Sequence, residues 1–147
     1  MSSRWEYTRP DAVSSPGSRM STRRQFVKRA GNEVVAIQLA LDTDGFTYRK
    51  WGDLQTCKPG DWIVQNNGEV YSVDRETFAH TYRQQSPGLY RKVSPVWAER
   101  TETDGSVPTK EGVTHYRAGA YLVSNDAEGT DAYAVAAATF EAMYEPL

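Results

Sequence analysis

A ten-residue stretch occurs twice, and that duplication limits what the chain can fold into. Cys57-Lys58-Pro59-Gly60-Asp61-Trp62-Ile63-Val64-Gln65-Asn66 is answered 59 positions later by Tyr116-Arg117-Ala118-Gly119-Ala120-Tyr121-Leu122-Val123-Ser124-Asn125. Further on the correspondence resumes at 62 positions: Tyr71-Ser72-Val73 with Tyr133-Ala134-Val135, Thr77-Phe78 with Thr139-Phe140, Tyr82 with Tyr144. The three extra residues fall in the polar turn Asn125 to Gly129. Upstream, Val35-Ala36 answers to Trp97-Ala98 at the same 62. In a chain of 147 residues, each copy alone buries too small a share of its surface to fold well. Two copies packed together remove that difficulty, so the expectation is one body with internal pseudo-symmetry.

Local patterning fills in each copy. Val34 to Leu41 alternates, with Val35, Ile37, Leu39 and Leu41 expected on the buried face and Gln38 opposite. Phe46 to Trp51 reads as a second strand, rich in β-favouring aromatics. Lys58-Pro59-Gly60 launches a strand over 61–65, Asn66-Asn67-Gly68 marks a tight hairpin, and 69–73 is the return strand. Asp74 is a candidate N-cap for a helix over 75–82, which places Phe78 and Tyr82 on one face. In the second copy 89–99 reads as one strand, 101–105 and 110–112 as turns, and 113–116 as extended. Tyr121-Leu122-Val123 pairs with 132–135, and a helix spans 136–144 with Phe140, Met143 and Tyr144 as its buried stripe. The fold class is therefore α+β, mostly β: two pseudo-symmetric strand-rich repeats, each ending in a short helix, with an extended N-terminal arm. The boundaries are 1–25 for a basic flexible arm, 26–84 for the first repeat and 85–147 for the second.

The net charge of −2 hides an asymmetry. Residues 1–30 hold seven basic side chains and two acidic ones, and the rest of the chain is net −7. A basic, Ser-rich arm with few apolar residues cannot make a core of its own. Trp5 and Tyr7 are its aromatic anchors for a partner, and Arg19, Arg23 and Arg24 its steering charges. The acidic body disfavours nucleic acid as that partner. No apolar run approaches the roughly 20 residues a membrane span needs, and the first residues show no signal-peptide pattern. With Cys57 as the single cysteine, no intrachain disulfide forms. The expected setting is cytoplasmic or, in an assembled particle, the virion.

Pro59-Gly60-Asp61-Trp62-Ile63-Val64, then Gly68-Glu69-Val70-Tyr71, then Phe78 and Tyr82, resembles a small domain of unassigned function met in phage and bacterial proteins. Its pattern is a PGDW or PGDY string followed by GE-Y and F--TY, and it covers nearly everything after the arm. The resemblance implies a fold unit and a phage or mobile-element context, and it implies no activity. The second copy departs from it, with Ala120 in place of Asp61.

Each chemistry-bearing residue has a structural role to weigh against a functional one. Asp61 in a Pro-Gly-Asp turn is read as a cap on backbone N–H groups, at about 1 kcal/mol, against an acid/base role shared with Glu69 across the hairpin. His80 and His115 lack metal-ligand spacing. Cys57 is read as packing, because Tyr116 occupies its place in the second copy. The recurring aromatics Trp62/Tyr121, Tyr71/Tyr133, Phe78/Phe140 and Tyr82/Tyr144 are read as core. No phosphate loop, nucleophile elbow or zinc knuckle is present.

The reading favoured by these residues is not an enzyme. It is an interaction or assembly protein without a cofactor, a phage structural or accessory component whose arm docks on an acidic protein partner or on other copies of itself. The alternative is a small-ligand protein that binds a nucleotide-like anion at the seam between the repeats, with Arg49, Lys58 and Arg117 as its cations.

Overall fold

The computed structural model describes residues 22–147. Trp5, Tyr7 and Arg19, assigned above to the arm, lie outside the described residues. Asn67 and Gly68 both take positive φ, 52° and 83°, so the Asn-Asn-Gly hairpin turns as its sequence dictates. It joins β5 (Trp62–Asn66) to β6 (Glu69–Val73). Asp74 then caps α1 (Arg75–Thr81), its carboxylate accepting from the N–H groups of Glu76 and Thr77. The chain leaves the helix directly into β7 (Tyr82–Ser86) and returns as β8 (Leu89–Lys92). With β2 (Val34–Gln38) these strands form a five-stranded antiparallel sheet in the order β6-β5-β2-β8-β7.

The second half repeats that plan. β9 (Val96–Arg100), β12 (Tyr121–Ser124), β13 (Tyr133–Val135), α2 (Ala137–Met143) and β14 (Tyr144–Pro146) follow in the same sequence. The strand that completes this sheet comes from the opposite end of the chain: β1 (Arg24–Lys28) lies between β9 and β14, giving the order β13-β12-β9-β1-β14. Thus β1 stands where β8 stands in the first sheet. Phe26 faces Val96 as Tyr90 faces Val34, and Lys28 faces Tyr144 as Lys92 faces Tyr82. In chain order, each half's leading strand sits in the other half's sheet.

Two hairpins lie outside the sheets: β3 (Phe46–Lys50) with β4 (Asp53–Cys57), and β10 (Gly105–Pro108) with β11 (Val113–Tyr116). They meet through a bridge between Gln55 and Gly112, with Thr56 N–H donating to Glu111 O and His115 N–H to Trp51 O. The carboxamide of the fully buried Gln55 donates to the carbonyls of Lys50 and Val113.

Each sheet holds its own aromatic column. In the first, Trp62, Phe78 and Tyr82 stack at 4.2 and 4.5 Å, with Tyr90 edge-on to Phe78 at 5.1 Å. In the second, Tyr121, Phe140 and Tyr144 stack at 4.2 and 4.7 Å, with Phe26 edge-on to Phe140 at 5.0 Å. Such pairs add about 0.5–1.5 kcal/mol each to the burial of their area. Val34, Ala36 and Val64 complete the first core; Val96, Ala98, Val123 and Met143 complete the second.

Four expectations are corrected. First, β2 buries Val34 and Ala36, leaving Val35 53 % and Ile37 68 % exposed, so its apolar face is the opposite of the one read from the alternation. Four consecutive apolar residues fit either register, and a one-residue slip inverts every side chain. Second, 89–99 is two strands, not one: the chain breaks around Pro95 and crosses from one sheet to the other. Third, the turn at 101–105 ends one residue sooner, because Gly105 is already the first residue of β10. Fourth, the arm boundary at residue 25 falls inside β1, whose partners are more than 60 residues away in sequence.

Candidate functional site

Corresponding strand ends bring two lysines and four tyrosines to the seam between the halves. Tyr82 and Tyr144 sit where each helix becomes a strand, held by stacking on the phenylalanine one turn earlier. Tyr71 and Tyr133 occupy the same position in β6 and β13. Lys28 and Lys92 close the group from β1 and β8. These six side chains are among those that line a cleft of about 1050 Å³.

The Lys92 ammonium donates to the Tyr133 hydroxyl at 3.0 Å and lies 5.4 Å from the centre of that ring and 6.0 Å from that of Tyr82. Lys28 lies 5.9 Å from the centre of the Tyr144 ring. Asn66 donates to the Tyr71 hydroxyl at 3.2 Å. Burial pushes the Tyr133 and Tyr144 phenols well up, and their interaction lowers the first and raises the second. Asn125, the counterpart of Asn66, lines the same cleft with its buried Oδ1 unpaired.

The cleft carries both signs of charge: Glu69, Glu76, Glu111, Asp126 and Asp131 line it together with the lysines. Burial, reinforced by the neighbouring Lys92, pushes the Lys28 amine down to about 8, and Glu33 only partly opposes this. Burial pushes all four phenols up, so they stay neutral hydroxyl donors throughout the physiological range. Among the described residues neither Lys28 nor Lys92 has a carboxylate within ion-pair distance. Two neighbouring amines in no ion pair among the described residues, set among hydroxyl groups and aromatic faces, suit an organic anion.

The residues named from sequence lie elsewhere or at the edge. Arg49 is exposed on β3. Lys58 is held by Asp61 at 3.0 Å and Asp74 at 3.6 Å. Arg117 lines the cleft as an exposed residue. Arg23 pairs with Glu99 at 3.5 Å, and Arg24 opens β1 opposite Ala98.

Asp61 is fully buried, which makes it more than a turn cap. Its oxygens accept from Lys58 N–H and Nζ and from Arg75 N–H at the start of α1. Glu69 is at the far end of the hairpin and pairs with Lys50 at 3.8 Å, so the two carboxylates form no pair. Cys57 is fully buried, with its thiol pushed up by burial and by Asp61. His80 is exposed on α1, and His115 contacts Asp53 at 3.2 Å. The described residues contain no grouping of three metal-binding side chains.

Lys28 and Lys92 were hidden in the sequence because their spacing is 64, not the 59 or 62 of the rest. Lys28 was counted with the arm. Tyr71, Tyr82 and Tyr133, read as core, are half-buried and line the cleft. No family model, curated protein or solved structure matches the chain. No helix among the described residues is long and apolar enough to cross a membrane.

Proposed function

We propose that this protein binds a small organic anion, an aromatic ring bearing a phosphate or carboxylate, in the seam between its halves. The observation that carries the reading is the placing of Lys28 beside Lys92 among four tyrosines, with neither amine in an ion pair among the described residues. The lysines answer the anionic group, the hydroxyls complete its hydrogen bonds, and the ring faces take a planar body. Nucleotides belong to this class, and the cleft is large enough for one: about 300–1,000 Å³ is the usual range for small-molecule pockets.

The test is calorimetric titration and thermal unfolding with adenosine monophosphate and inorganic pyrophosphate. Binding that stabilises the protein and weakens by at least about tenfold in Lys92→Gln, with unchanged circular dichroism, supports the reading. No anion-dependent shift in the wild type overturns it.

Assembly is a second reading, favoured by a different observation. Val35, Ile37 and Leu41 from the β2 segment and Val70 on β6 are each more than half exposed. An outward apolar set of this kind fits a protein partner or another copy of the chain, as in a phage particle. Sedimentation of the wild type against Ile37→Lys tests it.

A further inference from the structure

Lys28 differs from every other lysine of the chain. There are five, at positions 28, 50, 58, 92 and 110. Lys50 pairs with Glu69, Lys58 with Asp61, Lys92 with Tyr133 and Lys110 with Asp74. The Lys28 amine has neither a hydrogen-bond acceptor nor a carboxylate at bonding distance among the described residues. The pseudo-symmetry shows why. Lys92 bonds to Tyr133, whereas Tyr71, the tyrosine that corresponds to Tyr133, takes its hydrogen bond from Asn66. Lys28 is left facing the cleft with the Tyr144 ring beside it.

We propose that Lys28 forms a reversible imine with a carbonyl-bearing anion bound in the seam, of the class of aromatic aldehydes that carry a phosphate. This rests on the anion reading above and narrows it. A primary amine reacts with a carbonyl only as the neutral base. Desolvation and a second nearby cation are the two conditions that release its proton. Both are met here, through burial and through Lys92. Lys92 holds the anionic group, and the tyrosine rings hold the planar body against the amine.

The step balances without an oxidant or reductant. The Lys28 nitrogen attacks the carbonyl carbon and the carbon–oxygen π bond opens to a carbinolamine. One proton from the nitrogen and one from solvent pass to that oxygen, which leaves as water. The product is a protonated imine, and hydrolysis returns the amine and the aldehyde.

Pyridoxal 5′-phosphate is the probe, used with the full chain near neutral pH. The imine is read by its visible absorbance, trapped with borohydride and located by peptide mapping. With only five lysines in the chain the map is unambiguous. The expected result is an adduct at Lys28 at least about tenfold above that at each other lysine, since a lower amine pKa enlarges the neutral fraction. Excess inorganic pyrophosphate is expected to suppress it. Lys28→Arg is expected to abolish the band with circular dichroism unchanged; if that variant does not fold, the wild-type map decides alone. Adducts spread over the lysines in proportion to exposure overturn the imine. If pyrophosphate still stabilises the protein in that case, the anion reading stands. If pyrophosphate neither binds nor protects, both fall.

Discussion

The two halves share a backbone plan and differ in polar side chains. In the first, Asp61 ties the Pro59-Gly60 turn to the start of α1, and Asp74 caps that helix. In the second, Ala120 and Ala136 hold the corresponding places, and α2 has no side-chain cap. The turn survives the loss: Ala120 N–H bonds Arg117 O at 3.1 Å, as Asp61 N–H bonds Lys58 O at 3.0 Å. Glycine and the backbone bond therefore set the turn, and the Asp61 carboxylate adds its tie to the start of α1.

Asp74, besides capping α1, makes contact between the halves. Lys110, at the tip of the β10–β11 hairpin, reaches Asp74 at 3.6 Å and Thr77 at 3.1 Å, and Glu111 accepts from Asp74 N–H. The hairpin of the first half ends in Trp51, whose ring packs 5.6 Å from that of Tyr71 in the same half. The second-half hairpin thus reaches across by charge, while the first-half hairpin packs its ring within its own half. The same inequality at the seam gives Lys92 a hydroxyl partner and gives Lys28 none.

The largest test of this comparison is the pair Phe78→Ala and Phe140→Ala. Both side chains are the centres of their stacks and are 2 % and 1 % exposed, so each is expected to cost about 3–5 kcal/mol in denaturant unfolding. A cost confined to one half breaks the equivalence of the two cores.

Asp61→Ala comes next, at about 3 kcal/mol, because it removes a fully buried charged acceptor from two part-buried N–H donors and the Lys58 ammonium. A loss near the 1 kcal/mol of an ordinary cap would make Asp61 and Ala120 equivalent after all.

Lys28→Met sharpens the seam asymmetry. The folded-state pKa of Lys28 is about 8, below its ordinary 10.5, so between these values the unfolded chain binds more protons. Stability conferred at this site therefore rises with pH across that window, and its full cost is present below pH 8. The Met variant is expected to be more stable than the wild type near pH 7 by about 2 kcal/mol, after discounting for solvent. The difference should close as pH approaches 10.5. A constant difference in thermal unfolding across the window removes titration of Lys28 as its cause.

The smallest effect is a gain. Ala136→Asp installs in α2 the cap that Asp74 provides in α1 and is expected to stabilise by about 1 kcal/mol. No gain would show that the start of α2 differs from that of α1 in more than its cap.

Much of this was legible in the chain. The doubled string places β5 with β12, and Asn66-Asn67-Gly68 places the hairpin, because turn chemistry is local and φ-specific. Three of the four recurring aromatic positions identify the columns that organise both sheets. Locality is also the limit. In β2, Val34 to Ile37 are all apolar, so alternation could not choose a face; packing against Phe78 and Tyr90 did. The exchange of β1 and β8 between sheets leaves no trace in either strand's own residues, since backbone pairing is blind to sequence distance. Lys28 is one basic residue among seven in the first thirty until β1 pairs with β14 and sets it opposite Tyr144. The sequence determined the repeated elements and their turns. Only the tertiary structure decided which strands close which sheet, and so which two lysines meet, because a charge is shifted by its neighbours in space and the chain order does not name them.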